Sequence, residues 1–266
     1  MWKNQEIPVK MFLMRTLEEH SFFSTLRCAR VKEFLLNLLF PLYCINCQRE
    51  KNYLCQDCFS LIDISTSQHC PFCSPAKIVL DGKTCYSCRK SKKLTGLFCA
   101  ASYQNLIIKK LISQFKYEPC IKELAKPLAS LIIQHFQLLD YPPPFFRDRS
   151  DFVLIPVPLH KKRLKWRGFN QAEEISHQLS LFFKMPLISD VLLKTKQTLP
   201  QVELSGKERT DNVKSAFVCQ NKNLIKEKKI LLVDDVFTTG STMEECARVL
   251  KDSGAKEVWG IAVARE

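Results

Sequence analysis

Apolar positions along the chain change their rhythm twice. In residues 31–40, VKEFLLNLLF, Val31, Phe34, Leu35, Leu38 and Leu39 recur at helical spacing, and Pro41 stops the pattern. Residues 1–30 have weak periodicity and read as a poorly ordered N-terminal extension. From residue 42 to about 92 no period survives. From Leu97 onward, strand-like runs alternate with helix-like ones. LFCAASY is a strand, and NLIIKKLISQFK and CIKELAKPLASLIIQHFQLL are helices, the second with Pro127 as a kink. YPPPFF is a rigid linker, FVLIPVP a buried strand and NQAEEISHQLSLFF an amphipathic helix. KILLVDD is a strand, STMEECARVLKDSG a helix with Gly254 as its C-terminal cap, and EVWGIAVA a last strand. Strands separated by helices predict an α/β fold whose parallel sheet is flanked by helices. The expected organisation is an extension (1–30), a helix with a cysteine-rich domain (31–95) and an α/β domain (96–266).

Composition changes this picture at two points. The chain of 266 residues carries a formal charge of +13, which favours anionic partners such as nucleic acid, nucleotides or phosphorylated metabolites. It also has 13 cysteines. The N-terminus has acidic residues and lacks a long apolar core before a small-residue cleavage site. No apolar run approaches the roughly 20 residues of a membrane span. A reduced, cytoplasmic location without a transmembrane segment is expected.

Eight of the cysteines form four Cys-x-x-Cys pairs: Cys44/Cys47, Cys55/Cys58, Cys70/Cys73 and Cys85/Cys88. Each turn spans one edge of a tetrahedron, so four turns complete two four-thiolate Zn²⁺ shells. Thiol redox chemistry is the competing reading of one pair; four pairs within 45 residues favour zinc. Sequential pairing closes shorter loops and is favoured over crossed pairing. Two closed shells leave no open coordination position, so the predicted role is structural, as in a double zinc ribbon.

The stretch KKILLVDDVFTTGSTMEE runs a buried strand into Asp234 and Asp235, then into Thr238, Thr239, Gly240, Ser241 and Thr242, then into a helix. Backbone amides, hydroxyls and a helix N-terminus form a cradle for a phosphate monoester, and Gly240 permits close backbone approach. The two carboxylates before it accept hydrogen bonds from vicinal hydroxyls. Phosphate and diol together describe a ribose 5-phosphate. An N-capping loop with two solvated aspartates leaves the apolar approach to the pair unexplained.

ILLVDDVFTTGST resembles the phosphoribosyl-pyrophosphate (PRPP) motif of type I phosphoribosyltransferases. With LFPLYCINC and the later cysteine pairs, IPVPLHKKRLKWRGFNQAEEI and LPQVELSGKERTDNVKSAF, residues 38–264 resemble the ComF family of competence proteins. That resemblance implies a type I phosphoribosyltransferase-like domain preceded by a zinc domain. It also implies PRPP binding with Mg²⁺ and a role in DNA uptake during natural transformation, with contacts to single-stranded DNA and the uptake machinery. In such a fold the segment after FVLIPVP faces pyrophosphate, which assigns that role to Lys161, Lys162, Arg163 and Arg167 on a basic loop that also holds Lys165. KTKQTLPQVELSGKERTDNV is similar to a loop that closes over substrate, making Lys194, Lys196, Gln201 and Arg209 candidate phosphate contacts and Asn212 an architectural one. Two other functions fit these residues: an active phosphoribosyltransferase of nucleotide metabolism, and a zinc-ribbon nucleic-acid binder without ligand function. Glutamine-dependent amide transfer is not expected, because Trp2 rather than cysteine follows Met1.

Overall fold

The computed structural model describes residues 41–79, 81–147, 151–196 and 215–266. The extension at 1–30 and the helix expected at 31–40 lie outside them. The chain enters through two cysteine knuckles, each closed by a short helix: α1 (Gln56–Ser60) and α2 (Tyr86–Arg89). It then forms β1 (Gly96–Ser102), α3 (Leu106–Lys116), α4 (Ala125–Leu138), the short α5 (Pro144–Arg147) and β2 (Phe152–Pro156). Next come α6 (Lys161–Arg167), α7 (Gln171–Phe183) and an antiparallel pair, β3 (Leu192–Lys194) with β4 (Phe217–Cys219). The end of the chain is β5 (Lys229–Phe237), α8 (Ser241–Asp252) and β6 (Glu257–Arg265).

Among the described residues, β1, β6, β5 and β2 form a parallel sheet in that order. Its central strands are buried on both faces: Ile230–Val233 and Val258 are fully inaccessible, as expected where helices cover both sides. One face packs on α3, α4 and α7 through Leu111, Phe115, Leu128, Ile132, Ile175 and Leu179. The other packs on α8 and the β3–β4 pair through Met243, Cys246, Leu250 and Phe217.

Local chemistry explains the elements. Asn105 caps α3 by accepting from the amides of Ile107 and Ile108, and Asn170 caps α7 by accepting from Ala172. Pro127 does not kink a helix. It sits in the first turn of α4, where its missing N–H has no intrahelical partner to lose. YPPPFF is partly helical in α5. The stretch expected as a basic loop is the helix α6. His160 caps its start by accepting from the Lys162 amide, and Gly168, at φ +85°, ends it.

The cysteine knuckles are packed onto this framework. Ser65 donates its amide to the Ala100 carbonyl and Leu97 donates to that of Gly82, so the knuckle region covers the free edge of β1 at two points. Cys44, Cys55, Cys58 and Ile62 join the core that contains Phe98 and Ile108.

Candidate phosphoribosyl site and tetracysteine centres

The thiols of Cys44, Cys47, Cys55 and Cys58 lie within 4.8 Å of one another, and so do those of Cys70, Cys73, Cys85 and Cys88. The pairs are therefore joined sequentially. The sulfurs of Cys47 and Cys55 are 3.5 Å apart, and Cys73 lies 3.6 Å from Cys85 and 3.7 Å from Cys88. A Zn–S bond of about 2.3 Å implies a tetrahedral edge of about 3.8 Å, so both sets fit a closed zinc shell. Backbone amides aimed at the sulfurs agree: Cys55 donates its amide to Cys44 Sγ at 3.5 Å and Cys85 donates to Cys70 Sγ at 3.4 Å. Burial acts to raise the Cys44 thiol, but the amides of Cys47, Cys55 and Asn46 outweigh it and bring it down to about 6. A metal ion held by each set would supply the folding energy that a stretch with no hydrophobic period lacks.

At the carboxyl end of β5 the two aspartates diverge. Asp235 is buried, and its Oδ1 lies 2.8 Å from Nζ of Lys116, the last residue of α3. Asp234 is pushed up to about 7, first by burial and second by the charge of Asp235. Lys116, the Asp235 amide (which donates to Asp234 Oδ1 at 2.9 Å) and Lys194 oppose that shift. Burial also presses down on the Lys116 ammonium, but Asp235 and Asp234 outweigh it and hold its pKa above the ordinary value. The pair is thus tolerated because one carboxylate has a fixed counter-charge and the other titrates near neutrality.

Three more cations converge here. On α6, Arg163 and Arg167 are four residues apart and share a face, whereas Lys161, Lys162 and Lys165 turn outward and are exposed. Arg167 is buried; desolvation lowers its pKa while the charge of Asp235 supports it. Lys194, at the end of β3, is likewise lowered by burial and then by Arg163, with Cys246 and Asp234 opposing. Lys196 is exposed just beyond the strand. Gln201, Arg209 and Asn212 lie outside the described residues. Nε of Arg167 and Nε2 of Gln171, the first residue of α7, are buried without a hydrogen-bond partner among the described residues. Asn170 Nδ2 donates to the Val157 carbonyl at 3.1 Å, which ties the start of α7 to the end of β2, beside β5.

The loop after β5 turns at Gly240, whose φ is +77°. A Cβ there would lie 2.4 Å from Phe237 Cζ, so both conformation and space call for glycine. Thr239 Oγ1 and Ser241 Oγ are 2.9 Å apart. Thr238 and Thr242 flank them, half-buried, where α8 begins. The arrangement suits an anion at the helix N-terminus beside a carboxylate that can receive hydroxyls.

Sequence reasoning missed Lys116, Gln171 and Glu244. Lys116 ends an ordinary amphipathic helix 119 positions before its partner, and only the topology brings them together. Gln171 carried a weak signal as a polar residue on the inward face of α7. Glu244 accepts from the amides of Lys93 and Leu94.

No helix among the described residues is long and apolar enough to cross a membrane. Residues 165–265 match the phosphoribosyl transferase domain family. Competence protein F of Haemophilus influenzae is 42% identical over 115 residues, 42% of this chain and 50% of that protein, so the chain matches only half of that relative. Competence protein ComFC of Streptococcus pneumoniae is 26% identical over 82% of this chain and 90% of its own length. Competence protein ComFC of Bacillus subtilis is 32% identical over 202 residues, 65% of this chain and 80% of that protein. With the aspartate pair and its glycine turn at the end of β5, helices on both faces of a parallel sheet and two tetracysteine groups ahead of it, the chain belongs to the ComF family and carries a type I phosphoribosyltransferase-like domain.

Proposed function

We propose that this protein binds PRPP, or another phosphoribosyl ligand, and acts in DNA uptake during natural transformation. The observation that carries the reading is the convergence of Lys116, Arg167 and Lys194 on Asp234 and Asp235, next to the glycine turn at Thr238–Thr242. The loop holds the 5-phosphate. The aspartates receive the ribose hydroxyls, and Arg163, Arg167 and Lys194 face the pyrophosphate. Mg²⁺ enters with PRPP and offsets its charge. Two Zn²⁺ ions hold the knuckles. The cytoplasm is the working compartment, and single-stranded DNA meets the exposed basic surface, where Trp166 stands beside Lys161, Lys162 and Lys165. The relatives' names support the competence role, and the geometry of the site supports the ligand class.

A second reading has its own support. A cleft of about 430 Å³ beside the ends of β1 and β6 is lined by Ser65, Gln68, Cys99, Arg265 and Glu266. The Glu266 amide donates to the carbonyl of Phe237, which precedes the phosphate loop. A space of this size accommodates an acceptor, as an active transferase requires. Calorimetric titration with PRPP and Mg²⁺, followed by a pyrophosphate-release assay over a panel of nucleobases, decides between the two. Binding without release supports the accessory protein, release supports the transferase, and absence of binding refutes both.

A further inference from the structure

The second tetracysteine group is tied to the phosphate loop by contacts that ligand chemistry does not require. Phe72, between Cys70 and Cys73, closes one side of the turn: a Cβ on Gly240 would lie 3.2 Å from its Cε1. Glu244, in the first turn of α8, does not cap its own helix. Its two oxygens accept from the amides of Lys93, at 2.8 Å, and Leu94, at 3.1 Å, where the chain leaves Cys88 for β1. Arg265 Nη2 donates to the carbonyls of Cys70, at 3.3 Å, and Pro71, at 3.4 Å. The same guanidinium lies 5.8 Å from the ring centroid of Phe237, two residues before Thr239. The Lys92 ammonium lies 4.8 Å from the Phe72 ring centroid. The first group differs: Cys44, Cys55 and Cys58 belong to the core on the opposite face of the sheet from α8.

A phosphate cradle made of backbone donors binds well only if the backbone is already held in the binding shape. Phe72 and residues 92–94 belong to a knuckle with little core of its own, whose order depends on its four ligands. We propose that the knuckle of Cys70, Cys73, Cys85 and Cys88 is the brace of the phosphate loop, with Phe72 and Glu244 as its positioning residues. Phosphoribosyl affinity then depends on metal occupancy of this second group. The affinity part rests on the ligand reading above; the brace itself does not.

The test combines calorimetry with PRPP and Mg²⁺, zinc content, and amide hydrogen exchange on the full chain. In Glu244→Gln and Phe72→Ala, which keep every cysteine, zinc content stays at the wild-type value. PRPP affinity falls about tenfold, the scale of one lost charge-assisted hydrogen bond or packing wall. Exchange at residues 238–243 rises by a similar factor, while that of β1 and β6 is unchanged. Phe72→Leu, which keeps an apolar wall, recovers most of both effects. Graded chelation weakens PRPP binding in step with loss of order at 70–94. Unchanged exchange at 238–243 in both variants overturns the brace, and so does exchange that rises uniformly through the sheet. If the wild type does not bind PRPP, the ligand reading fails alone, and the exchange arm still decides the brace.

Discussion

Lys116 Nζ lies 2.8 Å from Asp235 Oδ1, joining the last residue of α3 to the strand that carries the candidate site. Asp235 is 6% exposed and Lys116 25%, so most of the pair is withdrawn from water. Removing one partner leaves the other charge withdrawn from water and without its nearest counter-charge, with Arg167 as a remaining cation that acts on Asp235. Lys116→Met is expected to cost roughly 2–3 kcal/mol, at or below the lower end for a broken buried pair, because Lys116 keeps some solvent. Adding Asp235→Asn should restore most of that stability, since the double variant buries no unpaired charge. Denaturant unfolding of the two single variants and the double variant measures the coupling; additive effects would show that the pair is not an energetic unit.

Asp234 gives the site a pH dependence of fixed sign. Its folded pKa, about 7, lies above the ordinary carboxylate value of 3.8. Between those values the native state holds a proton that the unfolded chain has released. Stability therefore falls as pH rises through this window, by up to about 1.4 kcal/mol per unit, and levels off above pH 7. Asp234→Asn should remove that decline, so the variant gains on the wild type at pH 8 but not at pH 4. Ligand binding should show the opposite slope. Ribose hydroxyls and Mg²⁺ favour the ionised carboxylate, so PRPP affinity rises toward pH 7 and then plateaus. Parallel stability curves for wild type and variant would remove Asp234 as the source.

The carboxylate pair, the glycine turn and the tetracysteine sets were legible because each is contiguous or regularly spaced. The parallel sheet covered by helices followed from alternating patterns; the strand order did not, and came only with the structure. Lys116 was not legible, since a lysine ending an amphipathic helix is ordinarily a solvated cap and its role depends on where the sheet places that end. The run HKKRLKWR read as a uniform basic loop; helical geometry instead splits it, turning Arg163 and Arg167 inward and leaving Lys161, Lys162 and Lys165 in water. A net charge says nothing about faces until the period is known.

Purified protein should contain about two zinc ions per chain, because each tetracysteine set offers four thiols at tetrahedral spacing. Elemental analysis returning one zinc would mean that one set is not a metal centre, and none would remove both. Chelation is expected to expose Ile62, which packs with the first set, and to leave the β5–β6 pair protected from exchange.

The ligand-site aspartates and the nucleic-acid surface should be separable by mutation. Asp234→Asn with Asp235→Asn, made together with Lys116→Met so that no ammonium is left without its counter-charges, is expected to abolish PRPP binding while the chain stays folded, since the exchange removes like-charge repulsion along with the ribose contacts. It should leave single-stranded DNA binding in place. DNA is expected on the outward face of α6, where Trp166 is 55% exposed beside Lys161, Lys162 and Lys165. Each backbone phosphate contact contributes roughly 0.7 to the salt slope for a single strand, so replacing those three lysines with alanine should flatten it by about two units. Trp166→Ala should weaken binding with little change in slope, because stacking releases no counterion. The three-lysine change should leave PRPP affinity unaffected, since Lys161, Lys162 and Lys165 are exposed on the outward side of α6; Trp166 lies 5.9 Å from the Arg167 guanidinium, so Trp166→Ala is read on DNA binding alone. Titrations of a mixed-sequence oligonucleotide at several salt concentrations provide the measurement. An unchanged slope in the triple variant moves the contact to the second knuckle. There Tyr86 is 69% exposed, with Lys90 at 4.8 Å and Arg89 at 5.8 Å from its ring centroid, and Tyr86→Ala becomes the variant that weakens DNA.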